Sequence, residues 1–294
     1  MKRNSIALLI TLLFIILITA SIGINLKHFG NTSKYIANEK FLYQTSIILD
    51  DLLTFLNTSK ELNDINSSEA LDIFLSDKSF IPIEMYGLKV SVQIKSARSK
   101  FNINSLIREP EKVDMLKRYM DMHMANIEFV DVLLDGMSGE KTNMPYNSYL
   151  FDKNPELFRN YITSKEHFQR IEDFFIKNYN DKSIKKIDFQ NLFYFTNNPA
   201  YKIDLNFATP QLWEMILGCD TQKANRLSQG HYTDYVDLGL NDEELNIIKH
   251  LFKTSLFEPY LYIVINVIKD KNSAVIEFEY DIHKKKGINF VYKT

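Results

Sequence analysis

The chain has 294 residues, a length that fits about two domains of roughly 150 residues each. Hydrophobic residues make up 45% of it and charged residues 24%, which excludes a disordered tail, a collagen-like fibre and a polytopic transporter. The 35 Lys and Arg against 37 Asp and Glu leave a formal charge of -2, so the whole molecule has no basic field that would attract nucleic acid. Cys219 has no second cysteine with which to form a disulfide or a Cys/His zinc site.

Residues 6–26 form an uncharged segment of 21 residues, 16 of them apolar. As a helix this segment is long enough to cross a hydrocarbon layer about 30 Å thick. A cleaved secretory signal has a shorter apolar region of about 7–15 residues, although Thr19–Gly23 offers a weak cleavage site. Apolar residues at three- and four-residue spacings continue to Leu56. We therefore predict one long helix from Ile6 to about Leu56, with its first half in the membrane.

Strand patterns occur near both ends of the remaining chain. Residues 80–83, a Tyr86-Gly87 turn and an alternating run over 89–94 predict a hairpin. Near the other end, the alternation over 274–283 predicts the clearest strand, preceded by a strand over 260–268 and followed by a last strand ending at Tyr292. Each set alone would leave an apolar face exposed, so we expect one antiparallel sheet with strands from both ends, packed on the N-terminal helix.

The residues between these strands predict helices. Pro110 is typical of a first helical turn, Phe168, Ile171, Phe174 and Phe175 form one apolar face, and Thr209-Pro210 begins a helix that Gly218 ends. Asn241 with Glu244 predicts a capping box.

Two short segments echo each other, since each places small polar residues beside alternating apolar ones just before a helix. They are Phe101-Asn102-Ile103-Asn104-Ser105-Leu106 and Ile203-Asp204-Leu205-Asn206-Phe207-Ala208-Thr209-Pro210. Together with the apolar N-terminal segment and the Ser255–Tyr260 entry into the last strands, they resemble the K-type minor pseudopilins of bacterial type II secretion systems. Asp204 departs from the pattern, which has Asn there.

The resemblance implies an α+β, pilin-like fold, in which a long N-terminal helix packs on an antiparallel sheet and a helical domain is inserted between strands. In this interpretation residues 1–5 are a leader and residues 6–26 are the transmembrane half of the helix. The pilin-like helix and first strands then occupy residues 27–104, the inserted helical domain residues 105–255, and the C-terminal strands residues 256–294.

The resemblance also implies processing by a prepilin peptidase, with the cut between Ser5 and Ile6. The residue before the cut is normally Gly, so Ser5 departs from the pattern. Major pilins carry Glu at the fifth mature position, where this chain has Ile10, as K-type subunits have an apolar residue. A carboxylate there is costly in lipid unless a partner neutralises it, so its absence permits a subunit with no predecessor, at the tip.

The function implied is that of a structural subunit, not an enzyme, that supports protein export from the tip of a secretion pseudopilus. It would sit in the bacterial inner membrane by a single pass, with its C-terminal domain in the periplasm. Its partners would be other minor pseudopilins and the secretion machinery, and not nucleic acid. Two alternatives stay open: a minor subunit of a type IV or DNA-uptake pilus, and a signal-anchored periplasmic hydrolase.

Other residue patterns favour structural roles. The sequence has no G-x-S-x-G, H-E-x-x-H or Walker motif, its six histidines are scattered, and Cys219 is expected to be a small buried group. The 212–227 region has the outline of a helix-hairpin-helix DNA module, but packing explains it better. Acidic residues gather at Asp131, Asp135, Asp234, Asp237 and 242–244; the resemblance implies Ca²⁺ as a cofactor, but no spacing assigns its ligands. Tyr146, Tyr149 and Phe151 are candidates for a partner contact.

Overall fold

The structure consists of a five-stranded sheet, helices that pack on one face of this sheet, and a helical insertion. The computed structural model describes residues 38–85, 87–141 and 145–294. The helices are α1 (residues 38–58), α2 (Lys60–Asn63), α3 (Ser68–Lys78), α4 (Pro110–Met122), α5 (Glu128–Met137), α6 (Leu150–Lys153), α7 (Lys165–Tyr179), α8 (Phe189–Leu192), α9 (Pro210–Leu217), α10 (Thr221–Ser228) and α11 (Asp242–Asn246). The strands are β1 (Phe80–Met85), β2 (Leu88–Ser96), β3 (Phe101–Asn102), β4 (Phe193–Tyr194), β5 (Ile203–Asp204), β6 (Thr254–Ser255), β7 (Tyr260–Lys269), β8 (Asn272–Asp281) and β9 (Lys286–Lys293). Short 3-10 helices cover Ile103–Arg108, Ser183–Lys186, Leu205–Phe207 and Tyr235–Leu238, and a π-helical turn covers Ile247–Leu251.

The main sheet joins strands from the two ends of the described chain. Its order is β1-β2-β7-β8-β9, and every neighbouring pair is antiparallel. Because side chains alternate between faces along a strand, β2 and β7 bury every second residue. The buried rows are Val90, Val92 and Ile94 on β2, Ile263, Ile265 and Val267 on β7, and Ile276, Phe278 and Tyr280 on β8.

Helix α1 covers the apolar face of the sheet. Phe41, Ile48, Leu52 and Leu56 recur at helical spacing and are buried in the same core as the strand residues. Two hydrogen bonds fix the direction of α1 on the sheet: Lys269 Nζ donates to Gln44 Oε1 at 2.9 Å and Tyr280 Oη donates to Asn57 Oδ1 at 2.8 Å. The start of β7 therefore lies beside the C-terminal end of α1, since Leu261 pairs with Tyr280.

The helical insertion leaves and re-enters the sheet at that same end. It connects Ser96 of β2 with Tyr260 of β7, and its two ends meet where Ala97 N donates to Tyr260 O at 2.9 Å. The insertion has a separate hydrophobic core, which includes Trp213, Phe129 and Phe175. It thus occupies the end of the molecule farthest along α1 from residue 38.

The sequence predictions of fold class hold. The structure is α+β, with a helix packed on an antiparallel sheet and helices inserted between strands, as predicted. The N-terminal hairpin, the three closing strands and the single shared sheet are confirmed. Helix α3 was not predicted; Ser67 Oγ caps it by accepting from Ala70 N at 3.2 Å, but it buries only Leu71 and Leu75, which leaves a weak apolar period.

The first 37 residues contain several predictions that lie outside the described residues. These are the membrane segment over 6–26, the processing residues Ser5 and Ile6, and Ile10. Among the described helices, none combines the length and the apolarity that a membrane crossing requires.

Candidate functional site

The first amide motif turns a strand into a 3-10 helix at the base of the insertion. Asn102 Oδ1 accepts from Asn104 N at 3.2 Å, which caps the helix that begins at Ile103. The buried Asn104 amide then bonds to two distant loops. Its Nδ2 donates to Ile162 O at 2.9 Å and to Thr196 O at 3.1 Å, and its Oδ1 accepts from Ile162 N at 2.7 Å.

The second motif repeats this geometry. Asp204 Oδ1 accepts from Asn206 N at 3.1 Å and caps the next 3-10 helix. Asn206 Nδ2 donates to Tyr232 O at 3.0 Å and to Leu256 O at 2.7 Å, while its Oδ1 accepts from Tyr232 N at 2.6 Å. Each motif strand also pairs in parallel with a two-residue strand, β3 with β4 and β5 with β6. The two motifs of the insertion therefore share one local geometry.

The apolar members of both motifs anchor these turns in the core of the insertion. Phe101, Ile103, Leu106, Leu205 and Ala208 are all buried there. Phe101 meets the Phe252 ring edge-on at 5.6 Å. The structure thus gives both motifs a positioning role in which amides bind loops and apolar neighbours fill the core.

The acid at position 204 has a structural reason. Asp204 is fully buried, and each carboxylate oxygen accepts a backbone N–H: Oδ1 from Asn206, and Oδ2 from Glu258 at 2.9 Å. An Asn here would turn an NH₂ group towards one of these donors, so the carboxylate satisfies both where an amide satisfies one. Burial raises the pKa of Asp204 to about 7, against the opposing effect of these hydrogen bonds.

A buried ion pair joins the insertion to the sheet. Arg98 Nη1 lies 2.5 Å from Glu279 Oε2, and both side chains are at most 4% exposed. Arg98 follows β2, while Glu279 lies on β8 and is buried although it occupies a polar position in the alternation of that strand. Asn289 Nδ2 of strand β9 donates to Glu279 Oε1 at 2.7 Å, so β9 also contacts the ion pair.

Three tyrosine rings surround the Arg98 guanidinium, a geometry that stabilises its buried charge. Its central carbon lies 3.9 Å from the ring centre of Tyr260, 4.8 Å from that of Tyr201 and 5.9 Å from that of Tyr194. Tyr194 Oη also donates to Glu279. Burial, together with the neighbouring Glu279 carboxylate, raises the pKa of the Tyr194 hydroxyl far above its ordinary value. Tyr194 and Tyr201 belong to the insertion and Tyr260 to the sheet, so this cluster fixes one against the other.

The remaining candidate residues take structural positions. Cys219 is half-buried, and burial raises the pKa of its thiol, which makes it a weaker nucleophile. In the α9–α10 hairpin Gly218 adopts a φ of 59°, and Asp220 caps α10 by accepting from Lys223 N at 2.8 Å. The Asp220 carboxylate thus occupies the position where a helix-hairpin-helix DNA module would bind a phosphate. Of the aromatic trio, Phe151 is buried, Tyr146 Oη donates to Gly139 O at 2.7 Å, and Tyr149 stays 73% exposed.

The acidic residues do not gather into a calcium site in the part of the chain that is described. Asp135 is buried and accepts from Ser148 N at 2.7 Å, and Asp131 pairs with Lys117 at 2.7 Å. Asp234 with Asp237, and Asn241 with Glu244, form capping boxes, the second as predicted. No three His, Cys, Asp or Glu side chains of the described ranges come together around a space for a metal ion, so these residues do not fit the calcium that the resemblance implied.

Comparison with known proteins finds a likeness among solved structures. No family model matches the chain, and no curated protein matches it. A chain in the crystal structure of the GspK–GspI–GspJ complex of the type 2 secretion system from enterotoxigenic Escherichia coli is similar in structure, with a TM-score of 0.57 and 8% sequence identity. The match covers 90% of this chain and 99% of that chain. The chain therefore has a K-type minor pseudopilin-like fold.

Proposed function

We propose that the chain is a minor pseudopilin at the tip of a type II secretion pseudopilus, a structural subunit that supports protein export and has no catalytic activity. The observation that carries this proposal is the overlap of nearly the whole fold, sheet and insertion together, with a chain of a secretion-system complex. That protein's complex contains three pseudopilins, so other minor pseudopilins are the partners we propose for this chain. Residues 6–26 would anchor it in the inner membrane, with the sheet and the insertion in the periplasm.

The position of the insertion supports a place at the tip. It lies at the C-terminal end of α1, whereas the apolar segment over 6–26 precedes the other end of that helix. A subunit whose stem points to the membrane then presents its bulk on the opposite side. Bulk at that position would block a further subunit from adding above it.

The first test compares the full chain with residues 27–294 exported behind a cleavable signal peptide, so that both reach the periplasm. The proposal expects the stemless form to be folded but unable to restore secretion in cells that lack the protein. Mass spectrometry of the full chain should find Ile6 as a methylated N-terminus. Full secretion supported by the stemless form would contradict the proposal, and so would an enzymatic turnover that alone accounts for the phenotype.

A second test addresses the capping role. Because Ala97 N donates to Tyr260 O, residues 98–259 can be replaced by a two-residue Asn-Gly loop that joins Ala97 directly to Tyr260. The shortened protein keeps the sheet and α1 but lacks the bulk, so we expect longer pseudopili when the other pseudopilins are overproduced. Pseudopili of unchanged length, with the shortened subunit incorporated, would refute capping by the insertion.

A further inference from the structure

The two edges of the main sheet differ in their ability to accept another strand. On β1 the exposed Pro82 lies mid-strand and has no N–H to offer, and Glu84 follows it. On β9 there is no proline, and in the described part of the chain this strand pairs only with β8. The backbone groups on the outer side of β9 are therefore a template for strand addition, whereas those of β1 are interrupted.

Strand β9 also exposes three consecutive large apolar residues. Phe290, Val291 and Tyr292 are 47%, 41% and 45% exposed. Consecutive residues of a strand point to opposite faces, so apolar surface is available on both sides of this edge. Phe290 stacks on Phe278 of the core at 4.9 Å, which makes this surface continuous with the sheet interior.

The charge of this edge has one sign. Residues 284–294 contain four lysines and no acid. Lys284 pairs with Asp281 at 3.2 Å, and Lys293 pairs with Glu166 of α7 at 2.8 Å and with Glu277 at 3.0 Å. Lys285 and Lys286 make no ion pair with any residue that the structure describes. A second copy of β9 would bring lysines against lysines, whereas a strand with acidic residues would find complementary charge.

A bulge limits the length of edge that is open to pairing. Asn289 has a φ of 57°, its side chain is held by Glu279, and the pairing register of β8 and β9 shifts between Glu277 and Glu279. Beyond the bulge Val291–Lys293 pairs regularly with Val275–Glu277. The regular part of the edge is thus short and apolar, and the two lysines lie on the other side of the bulge.

We propose that β9 binds an extended strand of another pseudopilus subunit, which pairs with Val291–Lys293 and presents Asp or Glu to Lys285 and Lys286. The identity of this partner rests on the proposed function. Main-chain hydrogen bonds would supply the affinity, and the lysines would select an acidic strand over a second copy of this chain.

The test places the photo-crosslinking residue p-benzoylphenylalanine at position 291 of the full chain in its own cells. The matched control places the crosslinker at Ile83, an apolar residue of similar exposure (38%) on β1, the edge that Pro82 interrupts. We expect irradiation to link position 291, and not position 83, to an acid-containing extended segment of another pseudopilin, identified by mass spectrometry. The double reversal Lys285→Glu with Lys286→Glu should lower the yield about fivefold, whereas Lys271→Glu, on the exposed turn between β7 and β8, should leave it unchanged.

The outcomes separate this inference from the function on which it rests. A product that is a second copy of the chain, equal yields at positions 83 and 291, or a yield indifferent to the double reversal would overturn the inference. If secretion requires the chain but position 291 links to no pseudopilin, the strand-docking inference fails and the proposed function stands. If the chain is also dispensable for secretion, both fail.

Discussion

Replacing Arg98 with methionine tests whether the buried ion pair holds the insertion to the sheet. Arg98→Met keeps much of the side-chain volume but leaves Glu279 charged and buried, with hydrogen bonds from Tyr194 and Asn289 alone. Removing one member of a buried ion pair typically costs about 3–5 kcal/mol. Both side chains are almost completely buried, so solvent screening does not reduce this figure. We expect the unfolding midpoint to fall by roughly 10 °C, given about 2–4 °C per kcal/mol for a domain of this size.

The assay is thermal unfolding of the full chain in detergent, followed by circular dichroism, in a double-mutant cycle with Glu279→Gln. Removing both charges should recover part of the loss, because the remaining groups are then neutral and still bonded. Lys95→Met, which removes an exposed charge on β2, serves as the control and should change the midpoint by less than about 2 °C. An Arg98→Met protein as stable as the wild type, or a cycle without coupling, would refute the reasoning that this pair joins the two parts.

Two further predictions concern the amide motifs. The folded Asp204 carboxyl binds its proton more tightly than the unfolded one. Its contribution to the free energy of unfolding should therefore decrease by up to about 1.4 kcal/mol per pH unit as the pH rises from about 4 to 7. Urea titrations should show that the stability of Asp204→Asn depends less steeply on pH than that of the wild type, and equal pH dependences would contradict the buried acid. Asn104→Ala and Asn206→Ala each leave buried backbone groups without partners, so each should lower the free energy of unfolding by about 1–3 kcal/mol or more in the same titration. Asn225→Ala, which changes an exposed side chain, is the control. A loss of stability at one motif alone would refute the equivalence of the two motifs.

Local pattern was enough to predict the sheet. The alternation of β2, and that of β8 as far as Phe278, follows directly from burial on one face. The turn at Gly87, with a φ of 72°, needs the conformational freedom that glycine has. The gathering of both strand sets into one sheet followed from the apolar face that each would otherwise expose. Helix α3 was missed because two buried leucines in eleven residues give no clear period.

The junction could be predicted only in part, since its partners are distant in sequence. Asn104 and Asn206 were identified because the two motif segments echo each other. Nothing local in the sequence indicates that their amides bind residues 162 and 196, or 232 and 256. Arg98 and Glu279 are separated by 181 positions. In the sequence Arg98 stands in a polar turn and Glu279 on the polar face of a strand, so each alone is indistinguishable from a solvated charge.

Polar contacts, more than a shared apolar interior, set the orientation of the insertion on the sheet. The two hydrophobic cores are separate, although Phe207 and Phe257 reach from the insertion to the sheet core. Apolar packing alone tolerates sliding and repacking, whereas the Arg98 ion pair and the hydrogen bond from Glu258 N to Asp204 are satisfied in one arrangement only. Such a junction holds the insertion in one position relative to α1, and under the proposed function a cap that must occlude one site requires that rigidity.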